Sequence, residues 1–146
     1  MKEYIYLLCP VVALIICQII KFLVESIKNK KLDFERLLNG AGGMPSSHTT
    51  FSVALTMLIG YRIGFETPIF AVSLIFTCIT LYDALGVRWE SGKQAMAINL
   101  IFESIFKGDK KLGFKKLKEQ LGHEPLEVLV GIFLGTTVAF LFNNFI

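Results

Sequence analysis

The chain has 146 residues, 53% of them hydrophobic and 18% charged, with a formal net charge of +3. Soluble domains usually carry about 25% charged residues, and here the charges also leave several long apolar stretches untouched. This excludes a soluble enzyme or a nucleic-acid module and predicts one integral membrane domain over residues 1–146.

The first apolar segment runs from about Tyr4 to Val24 and contains Pro10. It is too long for a signal peptide and no small-residue cleavage site follows, so it is expected to be retained. The second, about Thr49 to Phe65, is shorter and begins in a polar cluster. The third spans about Pro68 to Val87 and the fourth about Leu126 to Phe145. Crossing a hydrocarbon core takes ~20 helical residues, and helices satisfy their backbone amides within the segment. Ala95–Phe106 is apolar but too short to span, and it carries Asn99 and Glu103. The predicted fold is therefore all-α: a polytopic membrane helix bundle of about four spanning helices plus one short interfacial or re-entrant helix. Cys9, Cys17 and Cys78 lie inside apolar runs without CxxC spacing, so they read as small buried hydrophobes. Gly60-x-x-x-Gly64 and Gly131-x-x-x-Gly135 read as close helix packing within the bundle, with homo-oligomerisation as the alternative.

With the N-terminus outside, the inner side holds thirteen of the fifteen basic residues, and the outer side only Lys2 and Arg62. The positive-inside rule then predicts a multi-pass cell-membrane protein with both termini outside and both long polar connections in the cytoplasm.

Three clusters place reactive groups at the inner ends of these spans. The first, Gly42-Gly43-Met44-Pro45-Ser46-Ser47-His48, leads into the second span. Its glycines permit a tight turn, Ser46 or Ser47 can cap, and the exposed first-turn amides make an anion site beside His48. The second, Asp83 to Arg88 and on through Gln94, closes the third span. Arg88 offers a planar fork to a phosphate, or else pairs structurally with Asp83. Trp89 marks headgroup depth. The third, Gly122-His123-Glu124-Pro125-Leu126-Glu127, opens the fourth span. Four-residue spacing puts His123 and Glu127 on one helical face, where a carboxylate would orient the imidazole for attack.

The blocks GGMPSSH, DALGVRWESGKQA with Asn99 downstream, and LGHEPLEVLVGIFLG, with Gln18 and Lys21 ahead of them, resemble the divergent branch of the type 2 phosphatidic acid phosphatases. That family is related to acid phosphatases and vanadium haloperoxidases, and the resemblance covers Gln18 to Gly135. It implies a metal-independent phosphoric monoester hydrolase without a cofactor, acting on a membrane lipid that carries phosphate or pyrophosphate. It implies His123 as nucleophile, Glu127 as its orienting carboxylate and His48 as general acid. Gly43, Ser46, Ser47, Lys21 and Arg88 would hold the phosphate, with Asp83 and Gln94 in support. The conventional arginine six residues before the nucleophile is Leu117 here, and the KxxxxxxRP block is absent. Lys21, Arg36, Arg88 and Lys118 are the cations available in its place. The alternative function is a non-catalytic protein that binds or moves anionic lipid headgroups. A divalent-metal site on Asp83, Glu127 and the histidines is a third reading that no metal-ligand spacing supports.

Overall fold

The computed structural model describes residues 3–29, 43–106, 116–119 and 122–146. Arg36, Gly42 and most of the lysines of the two long connections lie outside the described residues, as does the side chain of Lys28. Of the described residues 84% are helical and none is in a strand. The elements are α1 (Ile5–Asn29), α2 (Ser47–Arg62), α3 (Pro68–Tyr82), a π-helical turn (Asp83–Val87), α4 (Arg88–Phe106) and α5 (Pro125–Phe145).

Among the described residues, three helical stretches are long and apolar enough to cross a membrane: Ile5–Ile27, Pro68–Ile105 and Pro125–Phe145. The second of these joins α3, the π turn and α4 without a break. The helix expected from Ala95 is thus the continuation of the third span. At 1.5 Å per residue its 38 residues reach about 57 Å, well past a hydrocarbon core of ~30 Å.

α2 is the exception, and its composition says why. It has 16 residues, ten of them buried, five of which are Ser or Thr. The neighbouring α3 buries only Thr77. α2 is wrapped by α1, α3 and α5, so it meets protein where the others meet lipid, and neither its length nor its polarity has to suit a bilayer.

The core lies where α1, α2 and α5 meet: Ile5, Cys9, Ala13, Ala54, Leu58, Val138, Ala139 and Phe142. Small residues dominate because helices in lipid associate by close packing and interhelical hydrogen bonds. At Gly131 and Gly135 of α5, a Cβ would stand 3.0 Å from the Ser46 carbonyl and 2.7 Å from that of Thr50. This glycine pair is the seam against α2. The pair Gly60 and Gly64 is not such a seam. Gly60 accommodates the Phe65 ring, and Gly64, beyond the end of α2, has φ +120°. α3 docks on α2 through hydroxyls: Thr56 Oγ1 lies 2.6 Å from Ser73 Oγ and 2.9 Å from Thr77 Oγ1. Cys9 and Cys17 are buried as expected, whereas Cys78 is exposed on α3.

Candidate functional site

Four chain segments converge at one end of the bundle: the last turns of α1, the start of α2, the π turn, and the residues before α5. Main-chain hydrogen bonds tie them together. The Ser46 N–H donates to the Glu127 carbonyl at 3.0 Å, and the His123 N–H donates to the Ala84 carbonyl at 3.2 Å. The three polar clusters of the sequence thus form one site.

At the start of α2, Ser46 is the N-cap. Its hydroxyl is fully buried and accepts from Thr49 Oγ1 at 2.9 Å and from the Thr49 N–H at 3.5 Å. Its side chain is therefore engaged in capping, and the first-turn amides of α2 are what it leaves for an anion. Ser47 is buried and its Oγ accepts from Lys21 Nζ at 3.2 Å. Lys21 itself is 3% exposed, a depth its place near the end of an apolar run does not reveal. The carboxylates of Glu25 and Glu127 are the negative charges that act on it. Gly43 closes over this pair at φ +87°, and a Cβ there would meet a Glu25 carboxylate oxygen at 2.6 Å. His48, one residue on from Ser47, is exposed. It lies on a cavity together with Gln18, Ser47 and Thr80.

In the π turn the Arg88 N–H donates to the Asp83 carbonyl, five residues back. The Arg88 side chain follows the same path, its Nε donating to Asp83 Oδ2 with both side chains partly exposed. The residues before α5 dock on this turn at very short range. A Cβ on Gly122 would lie 2.5 Å from both Trp89 Cα and Trp89 N. Only a glycine permits that approach, and the approach delivers His123.

His123 is 5% exposed, and neither ring nitrogen has a hydrogen-bond partner among the described residues. Burial, followed by the positive charges of Lys21, His48 and Arg88, pushes its pKa down to about 4. The imidazole is therefore neutral at physiological pH, with a lone pair available and cations around it.

The expected His123–Glu127 hydrogen bond is not formed. Pro125 occupies the first helical position and Glu124 is the N-cap, so His123 precedes the helix and i,i+4 geometry does not apply to it. Glu127 Oε2 instead accepts from the Glu124 N–H at 3.2 Å, while the Glu124 side chain accepts from the backbone of Glu127: a capping box.

Of the four cations available in place of the missing arginines, Lys21 and Arg88 act electrostatically on both histidines. Lys118 lies in the 116–119 segment, and Arg36 is outside the described residues. That segment is clasped by Asn99, 2% exposed, whose side chain donates to the Leu117 carbonyl at 2.9 Å and accepts from the Leu117 N–H at 3.0 Å. Asp83 acts on His48 as well as pairing with Arg88. Gln94 is exposed on α4. Among the described residues, no group of three His, Cys, Asp or Glu side chains is placed to hold a metal ion. Glu25 lies outside the sequence motifs, and Ala84, although inside DALGVRWESGKQA, is given no role by them. Neither carries a local signal, since one packs through a glycine and the other acts through its backbone.

The chain is 39% identical over 150 residues to an uncharacterized membrane protein of Bacillus subtilis (strain 168), YuiD, covering 93% of this chain and 94% of that one. No solved structure matches it significantly. Residues 3–138, which include all four segments of the convergent site, match the family described as the Divergent PAP2 family. With a relative matched over nearly its full length as well, the chain belongs to the Divergent PAP2 family.

Proposed function

We propose that the protein is a membrane phosphatase acting on a lipid-linked phosphate or pyrophosphate through a phosphohistidine intermediate. The observation that carries this reading is His123: buried, neutral, with both ring nitrogens unpartnered and Lys21, His48 and Arg88 around it. A ring nitrogen attacks phosphorus and the bond to the lipid oxygen breaks. His48, in its protonated form, supplies the proton to that leaving oxygen. Water then attacks the phosphohistidine, passing a proton to the now neutral His48, so that inorganic phosphate is released, the imidazole is freed and His48 is reprotonated. Phosphoryl transfer is catalysed mainly by positioning and by charge stabilisation of the equatorial oxygens. The first-turn amides of α2, the Lys21 ammonium and the Arg88 guanidinium are the groups that supply it. Glu127 contributes by holding the start of α5 and by its charge on Lys21. Both termini lie outside and the site faces the cytoplasm, as the distribution of Lys and Arg supports.

The test is phosphate release by the purified protein from a panel of phosphatidate and polyprenyl phosphates. Release that His123→Ala abolishes is the expected result, and undiminished release by that variant would overturn it.

A second reading is favoured by one observation. The carboxylate expected to orient the nucleophile caps the helix instead, which suits a site that holds an anionic headgroup without turning it over. In that case lipid phosphate binds, neutralising Arg88 weakens binding, and no phosphate appears.

A further inference from the structure

α1 and α3 both pack on α2 but form no extended contact with each other. Over the face of α2 between them is a cavity of about 450 Å³, within the ~300–1,000 Å³ range of small-molecule sites. Its lining is ordered by depth. Gln18, Ser47, His48 and Thr80 border it on the side of the convergent site, while Leu14, Phe51, Ser52 and Phe76 line the rest, the Ser52 hydroxyl donating back to the His48 carbonyl at 2.9 Å. Leu14 and Phe76 each stand one helical turn, about 5–6 Å, farther from the site than Gln18 and Thr80 on the same helices. Phe51 is likewise almost one turn deeper into α2 than His48. One end of the cavity is thus polar and shared with the site, and the other is walled mainly by aromatic and aliphatic side chains, its one hydroxyl, that of Ser52, being taken up by the α2 backbone. Phe76 is 66% exposed on α3, on a helix whose outer surface is apolar, so the cavity borders the surface that faces lipid.

We propose that this cavity between α1 and α3 holds the first part of the hydrocarbon chain of a phosphorylated membrane lipid, which enters sideways from the bilayer with its phosphate at the α2 N-terminus. The inference rests on the reading of that terminus as a phosphate site, and it narrows the substrate class to lipids presented from within the membrane. A water-soluble phosphate ester would leave the apolar half of the cavity unfilled. The occupant is a lipid and not a peptide or a second copy of the chain, because the polar end carries a phosphate site and the apolar end borders the hydrocarbon. Burial of each methylene in the cavity adds to affinity, so chain length at the end nearest the phosphate governs binding.

The experiment uses the full chain in phosphatidylcholine vesicles containing a phosphatidate with a photoactivatable diazirine on the proximal carbons of one acyl chain. Illumination followed by peptide mapping is expected to label the segments around Leu14, Phe51 and Phe76. Leu14→Trp, which fills the cavity, is expected to reduce labelling about tenfold, the effect of displacing two methylenes. Phosphate release is followed in the same vesicles. Labelling in the cavity without release keeps the groove and overturns the phosphatase reading. Release accompanied by labelling only at outer positions such as Ile75 and Ile79 overturns the groove and keeps the phosphatase. Labelling by the matching diacylglycerol probe that equals the phosphatidate's also overturns the proposal, since the phosphate would then have no part in placing the chain. Mapping on the unaltered protein answers the question even if Leu14→Trp does not fold.

Discussion

Lys21 Nζ donates to Ser47 Oγ across 3.2 Å, both residues buried, so that a cation from the last turns of α1 is fixed against the first turn of α2. A phosphate docked on the α2 amides would lie next to that ammonium. Lys21→Met keeps the stem and removes the charge. It is expected to lower phosphate release about 10²–10³-fold, the usual effect of deleting one preorganised stabilising group. Comparing kcat with KM against phosphatidate checks this, with the drop expected chiefly in kcat.

His123 gives a pH signature. Its folded pKa of about 4 lies below the ordinary value of 6.5, so the unfolded chain binds the proton more readily than the folded one. Stability is complete above about pH 6.5, declines as pH falls towards 4, and loses about 3 kcal/mol in all from this group. Thermal unfolding in detergent between pH 4 and 7 checks it. His123→Asn is expected to flatten that dependence as well as to abolish phosphate release.

Gly122 is expected to be intolerant of even a methyl group, because the added Cβ would strike the Trp89 backbone and no side chain can move aside. Gly122→Ala should displace His123 from the π turn and lower activity at least tenfold, a misplacement effect. Its thermal midpoint should fall by only a few degrees. The ratio of the two effects, measured side by side, separates positioning from folding.

Gly135→Val tests the seam between α5 and α2. A Cβ at that position would stand 2.7 Å from the Thr50 carbonyl, so the helices must separate, at a cost of about 1–3 kcal/mol. A lowered unfolding midpoint is the expected outcome. The opposite expectation holds for Asp83→Asn. The Asp83–Arg88 pair is partly exposed, and such pairs contribute about 0–1 kcal/mol, so stability should hardly change.

Orientation is open to direct measurement. A cysteine at position 48, with Cys78 replaced because it is exposed, should react in intact cells only with a membrane-permeant thiol reagent. Reaction with an impermeant reagent would place the site outside.

Much of this arrangement is legible in the sequence, for a physical reason. Each of the segments that converge is a polar motif interrupting an apolar run, and a membrane confines such motifs to helix ends. What escapes such reading depends on main-chain geometry. The position of His123 ahead of its helix follows from Pro125 at N1, a signal present in the sequence but outweighed by the four-residue spacing to Glu127. The unbroken helix from Pro68 to Phe106 passes through Gly86, Arg88 and Gly92, residues that look like a stop. The π turn takes in Gly86 and ends against Arg88, and Gly92 lies within the regular helix that follows. The depth of Lys21 depends on Ser47 of α2, and on Gly43 in the segment before it, closing over it, and the exposure of Cys78 on how little of α3 is covered. Neither leaves a local trace.

Because α2 is held by its three neighbours and is too short to span the bilayer, membrane thickness does not act on it directly. A thicker or thinner bilayer acts instead on α1, α3 and α5, which can tilt or let their ends fray. The glycine seam and the Ser46–Glu127 link hold His48 and the α2 amides to the segment carrying His123 through such adjustments. The site is thereby insulated from the physical state of its solvent, so its geometry should be the same in membranes of different lipid composition.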